Sequence, residues 1–347
     1  MITTYSLWNL FRNCRRACAL RYLQGLVPVE PDNNLSFGSL IHECLALWHG
    51  ERNLEKVLEH INRAYPNAAQ DEEQKKSWHL ATAMMKGYVA RYPQEDFQVV
   101  ALNKLFGGKI INPATGYSSH SFVLAGKVNG IVQIGNEYFL LEHKTTSQLD
   151  SAYTEKLWTD FQVILYAWYV REVLGIPVAG IIYNILAKAR LQQGKGETEA
   201  EFEARRAELL AKSKTGKTTA QRKLPESDED FQQRLCTKYT EPEMFHREKF
   251  YIPKSRYDVL KSELWELTQN FLIARRRGYL YQNTAFCFHF QSPCAYYPVC
   301  SADNAAAVIE NNYRTVDPHE ELKTAQDMDS AFLEKLGIFS GQLKKAA

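Results

Sequence analysis

The segment GKVNGIVQIGNEYFLLEHKTT, residues 126–146, holds the residue types and spacing best suited to chemistry. Its centre is Gly135-Asn136, a two-residue hairpin signal between apolar runs. With those two residues at the turn, Asn129 stands opposite Glu142, their Cβ atoms about 4.5–5.5 Å apart on one face. Lys144, two residues beyond Glu142, shares that face. The hairpin thus converges an amide, a carboxylate and an ammonium. A carboxylate pair in that place would hold Mg2+ or Mn2+ through oxygen ligands, with water completing the shell. Such an ion polarises a phosphodiester and acidifies an attacking water, while a lysine orients that water or stabilises developing charge. Spacing alone is generic, because E-x-K also describes polar residues on a solvated strand. Phe139, Leu140 and Leu141 argue instead for a buried strand, where a carboxylate needs a partner.

The seven cysteines form the second group. An odd number in a reducing compartment points to thiols or metal ligands rather than disulfides. Cys14, Cys18 and Cys44 lie near the start, Cys236 is alone, and Cys287, Cys294 and Cys300 cluster late. The late group lacks the close C-x-x-C pairs usual in structural zinc sites, a layout that cluster-bound thiolates tolerate. Cys18, Cys44 and Cys236 read as small buried hydrophobes, with Cys18 an alternative to Cys14 on the same helix face.

The elements that must position these groups follow from periodicity. Residues 5–24 predict a helix, with Leu7, Leu10, Phe11, Cys14 and Cys18 at three- and four-residue spacing. A second helix is predicted over 39–48 and helical structure over 53–92, ended by Pro93. The period then changes to short strands at 97–106, 121–134 and 137–145. Residues 156–174 predict a deeply buried helix, 179–189 a strand, 248–253 a strand and 254–277 a helix. The stretch 190–240 is charged and reads as a surface insertion, part helical and part mobile. Residues 304–347 read as a tail with no legible chemistry. The order describes one α/β (α+β) domain, helices around a central mixed sheet, over 1–303.

Bulk properties narrow the class. Net charge is +2, so no global electrostatic footprint for nucleic acid exists. Local basic runs, Arg12, Arg15, Arg16 and Arg21 and then Arg275, Arg276 and Arg277, are candidates to line a groove. No apolar run is long enough to span a membrane, no secretory signal opens the chain, and the protein is read as intracellular and cytoplasmic. GKGETEA and SKTGKTT both miss the Walker spacing, so ATP-driven unwinding would need a partner.

Several fragments together resemble the RecB-like branch of the PD-(D/E)xK nucleases. SLWNLFRNCRRACALRYLQGL resembles that family's first helix, and FGSLIHECL its G-x-x-x-H element, which implies His42 as a metal ligand. GKVNG is similar to a strand that normally reads G-x-x-D, and EHK (142–144) to the E-x-K core. Gln162 and Tyr166 match a Q-x-x-x-Y helix, implied to organise the site and contact DNA, and the His143 backbone carbonyl is implied to complete the metal shell. CFHFQSPCAYYPVC resembles the terminal cluster of four-cysteine members, which include CRISPR-associated, helicase–nuclease and stand-alone phage nucleases. There one cysteine of the first helix joins three late ones around a 4Fe-4S cluster; the resemblance implies Cys14 with Cys287, Cys294 and Cys300, stapling the two ends, zinc being the rival occupant. It implies a restriction-endonuclease-like fold and a metal-dependent exonuclease acting on DNA ends or single strands in recombination, repair or phage DNA processing, in a bacterial or phage-infected cell.

Asn129 departs from the pattern. An amide oxygen is neutral where a hard cation needs charge, yet Asn is nearly isosteric with Asp. Two origins account for it, a substitution made to disable cleavage or a natural loss leaving a DNA-binding scaffold. The chain is therefore expected to bind DNA and to cleave slowly or not at all.

Overall fold

The computed structural model describes residues 1–30, 33–289, 292–319 and 322. In chain order the elements are β1 (Ile2–Thr3), α1 (Tyr5–Asn13), α2 (Arg15–Cys18), β2 (Leu26–Pro28), α3 (Asn33–Glu51), α4 (Leu54–Ala64) and α5 (Glu72–Arg91). There follow β3 (Gln98–Ile111), β4 (Ser118–Ile134), β5 (Glu137–Thr146), α6 (Ser151–Leu157), α7 (Phe161–Leu174) and β6 (Val178–Ala187). Then come α8 (Glu199–Lys212), α9 (Asp228–Lys238), β7 (Phe245–Tyr251) and α10 (Lys254–Arg277).

A six-stranded mixed sheet lies at the centre. β3 and β5 pair antiparallel with β4, β6 runs parallel to β5, and β7 closes the edge antiparallel to β6. Both sheet faces are covered. Leu7, Trp8 and Phe11 of α1, Leu165 and Val170 of α7 and Phe271 of α10 fill one core. Ile41 and Leu45 of α3, Met84 and Tyr88 of α5 and Phe231 and Leu235 of α9 fill the other. A parallel β5–β6 pair buried on both faces explains why GIIYNILA is apolar at nearly every position, Asn184 being the buried polar exception.

Three predicted helices are broken in the structure, and each break has a physical cause. Residues 5–24 divide at Cys14, whose extended backbone (φ −154°, ψ 112°) ends α1 and starts α2; a π-helical turn over 19–23 follows. Residues 53–92 divide at 65–71, where Asp71 caps α5 by accepting from the Glu73 and Gln74 amides. Residues 156–174 also divide: α6 starts earlier, at Ser151, and ends at Leu157, and Asp160 caps α7 by accepting from the Gln162 amide at 2.9 Å.

The charged stretch is also more structured than its composition suggests. α8 buries no residue, in keeping with a surface position. α9 differs: Phe231, Leu235 and the following Tyr239 are all almost fully buried against α5. Of the tail, Tyr313–Thr315 forms a strand antiparallel to β2, and the His319 ring stacks on Tyr22. Ala305–Asn312 forms a short helix before that strand, and residues 320–347, save Leu322, lie outside the described residues. Among the described residues no helix is long and apolar enough to cross a membrane.

Candidate active site at a fork between strands

The hairpin turns where the sequence predicts. Ile134 pairs with Glu137, and Gly135 takes φ 57°, a left-handed value that favours glycine. The register continues through Ile131↔Leu140 and Gly130↔Leu141, then stops. Beyond it β5 follows β6, where Glu142, His143 and Lys144 pair with Tyr183, Asn184 and Ile185. The short β1 pairs with Val123 and Leu124 further along β4. Between these two partners β4 and β5 form a fork, and Asn129 stands in it.

Asn129 takes over the ladder's duty with its side chain. Its Oδ1 accepts the His143 backbone N–H at 3.1 Å, which satisfies a donor the parting strands would otherwise strand. Its Nδ2 faces Nδ1 of His42 at 3.5 Å. His42 reaches the fork from α3. Burial and the nearby Lys144 charge hold its pKa down at about 4, while a hydrogen bond to the His143 backbone pulls the other way. The ring is therefore neutral at pH 7 and presents a lone pair.

Glu142 and Lys144 lie on the α7 side of β5. The Lys144 ammonium sits 3.0 Å from Glu142 Oε1 and 3.6 Å from Asp160 Oδ2, and donates to Gln162 Oε1 at 3.1 Å. Burial raises the Glu142 carboxyl above its usual range, opposed by Lys144. Burial disfavours the ammonium too, but Glu142 and Asp160 outweigh it and hold Lys144 above its ordinary value. Lys144 is thus a fixed cation and donor. Tyr166, one turn after Gln162, packs edge-on against Phe106 and Tyr5 at 5.0 and 6.4 Å. It buttresses α7, and Tyr5 feels the charges of Asp160, Lys144 and Glu142.

Two parts of this arrangement escaped sequence reading. Asp160 closes a carboxylate–lysine–carboxylate row and accepts from the Tyr183 hydroxyl at 3.3 Å. Its signal was present: an Asp directly before an apolar helix, two residues from Gln162. The second part lies behind β5. Asn184 Nδ2 donates to His143 Nδ1 at 3.1 Å, and His49 stacks on the His143 ring at 5.5 Å, nearly parallel. Arg247 bridges Glu95 at 2.5 Å, the Tyr88 hydroxyl at 2.9 Å and Asn184 Oδ1 at 3.3 Å. This buried network braces β5 at His143, and its members come from separate elements with no shared motif.

The cysteines gather at the other end of α1. Cys14, Cys287, Cys294 and Cys300 all line one small pocket with Gln282, Asn283 and Tyr297. The break at Cys14 turns that thiol towards the late group. Cys18 instead lies fully buried in the main core, its thiol donating to Leu7 O at 3.7 Å and pushed up to about 12 by burial. Every pocket sulfur has a donor beside it. The Asn283 amide reaches Cys14 at 3.4 Å and Gln282 Nε2 reaches Cys287 at 3.1 Å. The Tyr296 and Tyr297 amides serve Cys294, and the Arg16 side chain serves Cys300. Burial nonetheless outweighs these donors at Cys294 and Cys300 and raises both thiols above their ordinary value. The Cys287 thiol also donates to Asn283 O at 3.8 Å, so the pocket by itself holds thiols, and its donors would serve thiolates once a metal supplied the charge.

Among the described residues, no group of three or more His, Cys, Asp or Glu is arranged to hold a metal ion. The donor types at the fork, a neutral imidazole, a buried carboxylate and an amide oxygen, nonetheless fit a divalent cation, one negative charge short. Three members of the basic runs expected to line a groove are engaged in packing, while Arg276 and Arg277 stand exposed. Arg12 pairs with Glu263 at 2.8 Å, Arg15 lies over Phe11 and Tyr281, and Arg275 lies over Phe271.

A family model described as the PD-(D/E)XK nuclease superfamily matches residues 3–300. No curated protein matches the chain. The central mixed sheet flanked by helices fits the restriction-endonuclease-like fold.

Proposed function

Because this chain belongs to the PD-(D/E)XK nuclease superfamily, we propose that it is a metal-dependent deoxyribonuclease whose cleavage is impaired by Asn129. Its place is that of an exonuclease on DNA ends or single strands in recombination, repair or phage DNA processing, beside a helicase or recombination protein. The observation that supports this reading is the fork, where Asn129 contacts His42 and the His143 N–H while Glu142 and Lys144, on either side of His143, pair with each other.

Mg2+ or Mn2+ bound by His42, Asn129, Glu142 and the His143 backbone carbonyl would polarise the phosphodiester and acidify a water. The residues themselves do the rest. Lys144, held cationic between Glu142 and Asp160, orients the attacking water or steadies charge developing on the phosphate. Gln162 fixes the lysine, and Tyr166 supports the helix that carries Gln162. Cys14, Cys287, Cys294 and Cys300 would hold a 4Fe-4S cluster that staples the N-terminal helix to the late cysteine loop. The support is one shared pocket and a hydrogen-bond donor for each sulfur.

A second reading is a DNA-binding protein that kept the fold and lost the chemistry. It is favoured by the way the Asn129 amide already faces both its neighbours, oxygen to the His143 N–H and nitrogen to His42. Asn129→Asp separates the two. The variant is expected to gain Mg2+- or Mn2+-dependent cleavage that the parent lacks. A folded variant inert with both metals on single- and double-stranded DNA refutes the enzyme reading.

A further inference from the structure

We propose that the cleft bounded by α3, α5 and the residues following β5 and β6 holds the single strand of DNA that flanks the scissile phosphate; this rests on the nuclease reading above. The cleft measures about 620 Å3, and Phe37, Lys76, Leu80, Ser147, Lys188 and Arg190 contribute to its walls. That is the size range of ligand sites.

Its place in the fold ties it to the fork. Ser147 follows the last residue of β5 and lies three residues past Lys144, roughly 10 Å along an extended chain. That is the axial rise of about three stacked nucleotides at roughly 3.4 Å each. The other wall is α3. Gly38 packs beside Thr145, where an added Cβ would lie 3.5 Å from Oγ1. Gly38 and His42 are four residues apart and share a helix face. The face that presents His42 to the fork therefore continues into the cleft.

Its chemistry suits a polyanion with apolar bases. Three cations, Lys76, Lys188 and Arg190, oppose one carboxylate, Glu73, among the lining residues. Two cations are held in place rather than left to wander. The Lys188 ammonium lies 4.8 Å over the Phe37 ring, and Arg190 Nε donates to Ser147 O at 3.0 Å. That bond uses one of five guanidinium donors. Leu80 and Leu191, both partly exposed, give the apolar wall against which sugars and bases pack, with buried Phe37 behind Lys188. The chain's near-zero net charge is consistent with a local patch doing this work.

The test is anisotropy of a labelled oligo-dT with the parent chain in EDTA, over a range of salt. Lys76→Ala, Lys188→Ala and Arg190→Ala combined should make the log–log salt dependence shallower by about 2, at roughly 0.7 per phosphate contact. The triple variant Lys212→Ala, Lys214→Ala and Lys217→Ala, at exposed positions in and after α8, removes equal charge elsewhere and should leave the slope at the parent value. Lys76→Ala alone, at an exposed position of α5, should remove about 0.7 and covers any misfolding of the cleft triple. Parent binding with unchanged slopes in the cleft variants overturns the cleft and spares the nuclease reading. Equal losses in both triples also overturn it, since charge alone would then decide. A parent that fails to bind even at low salt removes the DNA-substrate reading itself, and the cleft with it.

Discussion

Asn129→Asp tests the fork without requiring turnover. In the parent, Asn129 Oδ1 accepts from His143 N at 3.1 Å and Nδ2 points at the His42 lone pair at 3.5 Å. His42 is neutral at pH 7 because its pKa is held at about 4. The amide NH2 thus occupies the direction in which a cation would bridge the two groups. An aspartate keeps the first bond and strengthens it, but turns its second oxygen onto another acceptor and adds charge beside buried Glu142. Leaving such a group without its donor costs roughly 1–3 kcal/mol, so metal-free Asn129→Asp should be less stable than the parent by about 2 kcal/mol. In thermal denaturation that is a fall of a few degrees, since about 1 kcal/mol moves Tm by roughly 2–4 °C in domains somewhat smaller than this one. Mn2+ at a hundredfold excess over its Kd returns about 2.7 kcal/mol, which restores or exceeds the parent Tm. The parent should respond little to Mn2+. A variant as stable as the parent without metal, and unmoved by it, refutes the account of the fork.

Two further outcomes follow from the same geometry. Lys144→Gln strands the buried Glu142 carboxylate and should cost about 3–5 kcal/mol near pH 7 in urea denaturation. Because burial raises the folded pKa of Glu142, its carboxyl regains a proton as pH falls through that value; the penalty should therefore shrink towards acid, and a penalty that grows there contradicts it. For the sulfur pocket, anaerobically purified protein should absorb near 400 nm with about four irons per chain; Cys14→Ala should abolish the band, while Cys18→Ala should retain it. Retention in Cys14→Ala, or one zinc with no colour, would move the pocket to another occupant.

The hairpin was legible because its determinants are local: a Gly-Asn turn fixes register, and register fixes which residues share a face. Cross-strand counting from that turn holds as far as Gly130↔Leu141. It cannot see that β4 then parts from β5 while β5 keeps its pairing with β6, because this depends on the parallel partner rather than on the hairpin. The late helix at 254–277 and the edge strand before it were equally readable from period. The break at Cys14 was not, since the apolar spacing of 5–24 runs through it unbroken; only the long-range docking of that thiol against 282–300 distinguishes it from Cys18. The same limit hid α9, whose charged surface outnumbers the few residues it buries, and the Glu95–Arg247 pair, whose members lie on separate elements far apart in the chain.

The first strand and helices are held mainly by residues made much later. Ile2 pairs with Val123, Cys14 accepts from Asn283, and His319 reaches the Ile2 carbonyl. The sequence separations of the last two are 269 and 317 residues. During synthesis at roughly 5–20 residues per second, the opening segment waits on the order of 15–60 s for those partners. Its apolar face, Leu7, Trp8 and Phe11, has no completed surface to pack against in that interval. Closure of this fold is consequently timed by the arrival of residues 283–319, and the opening segment meets those partners last.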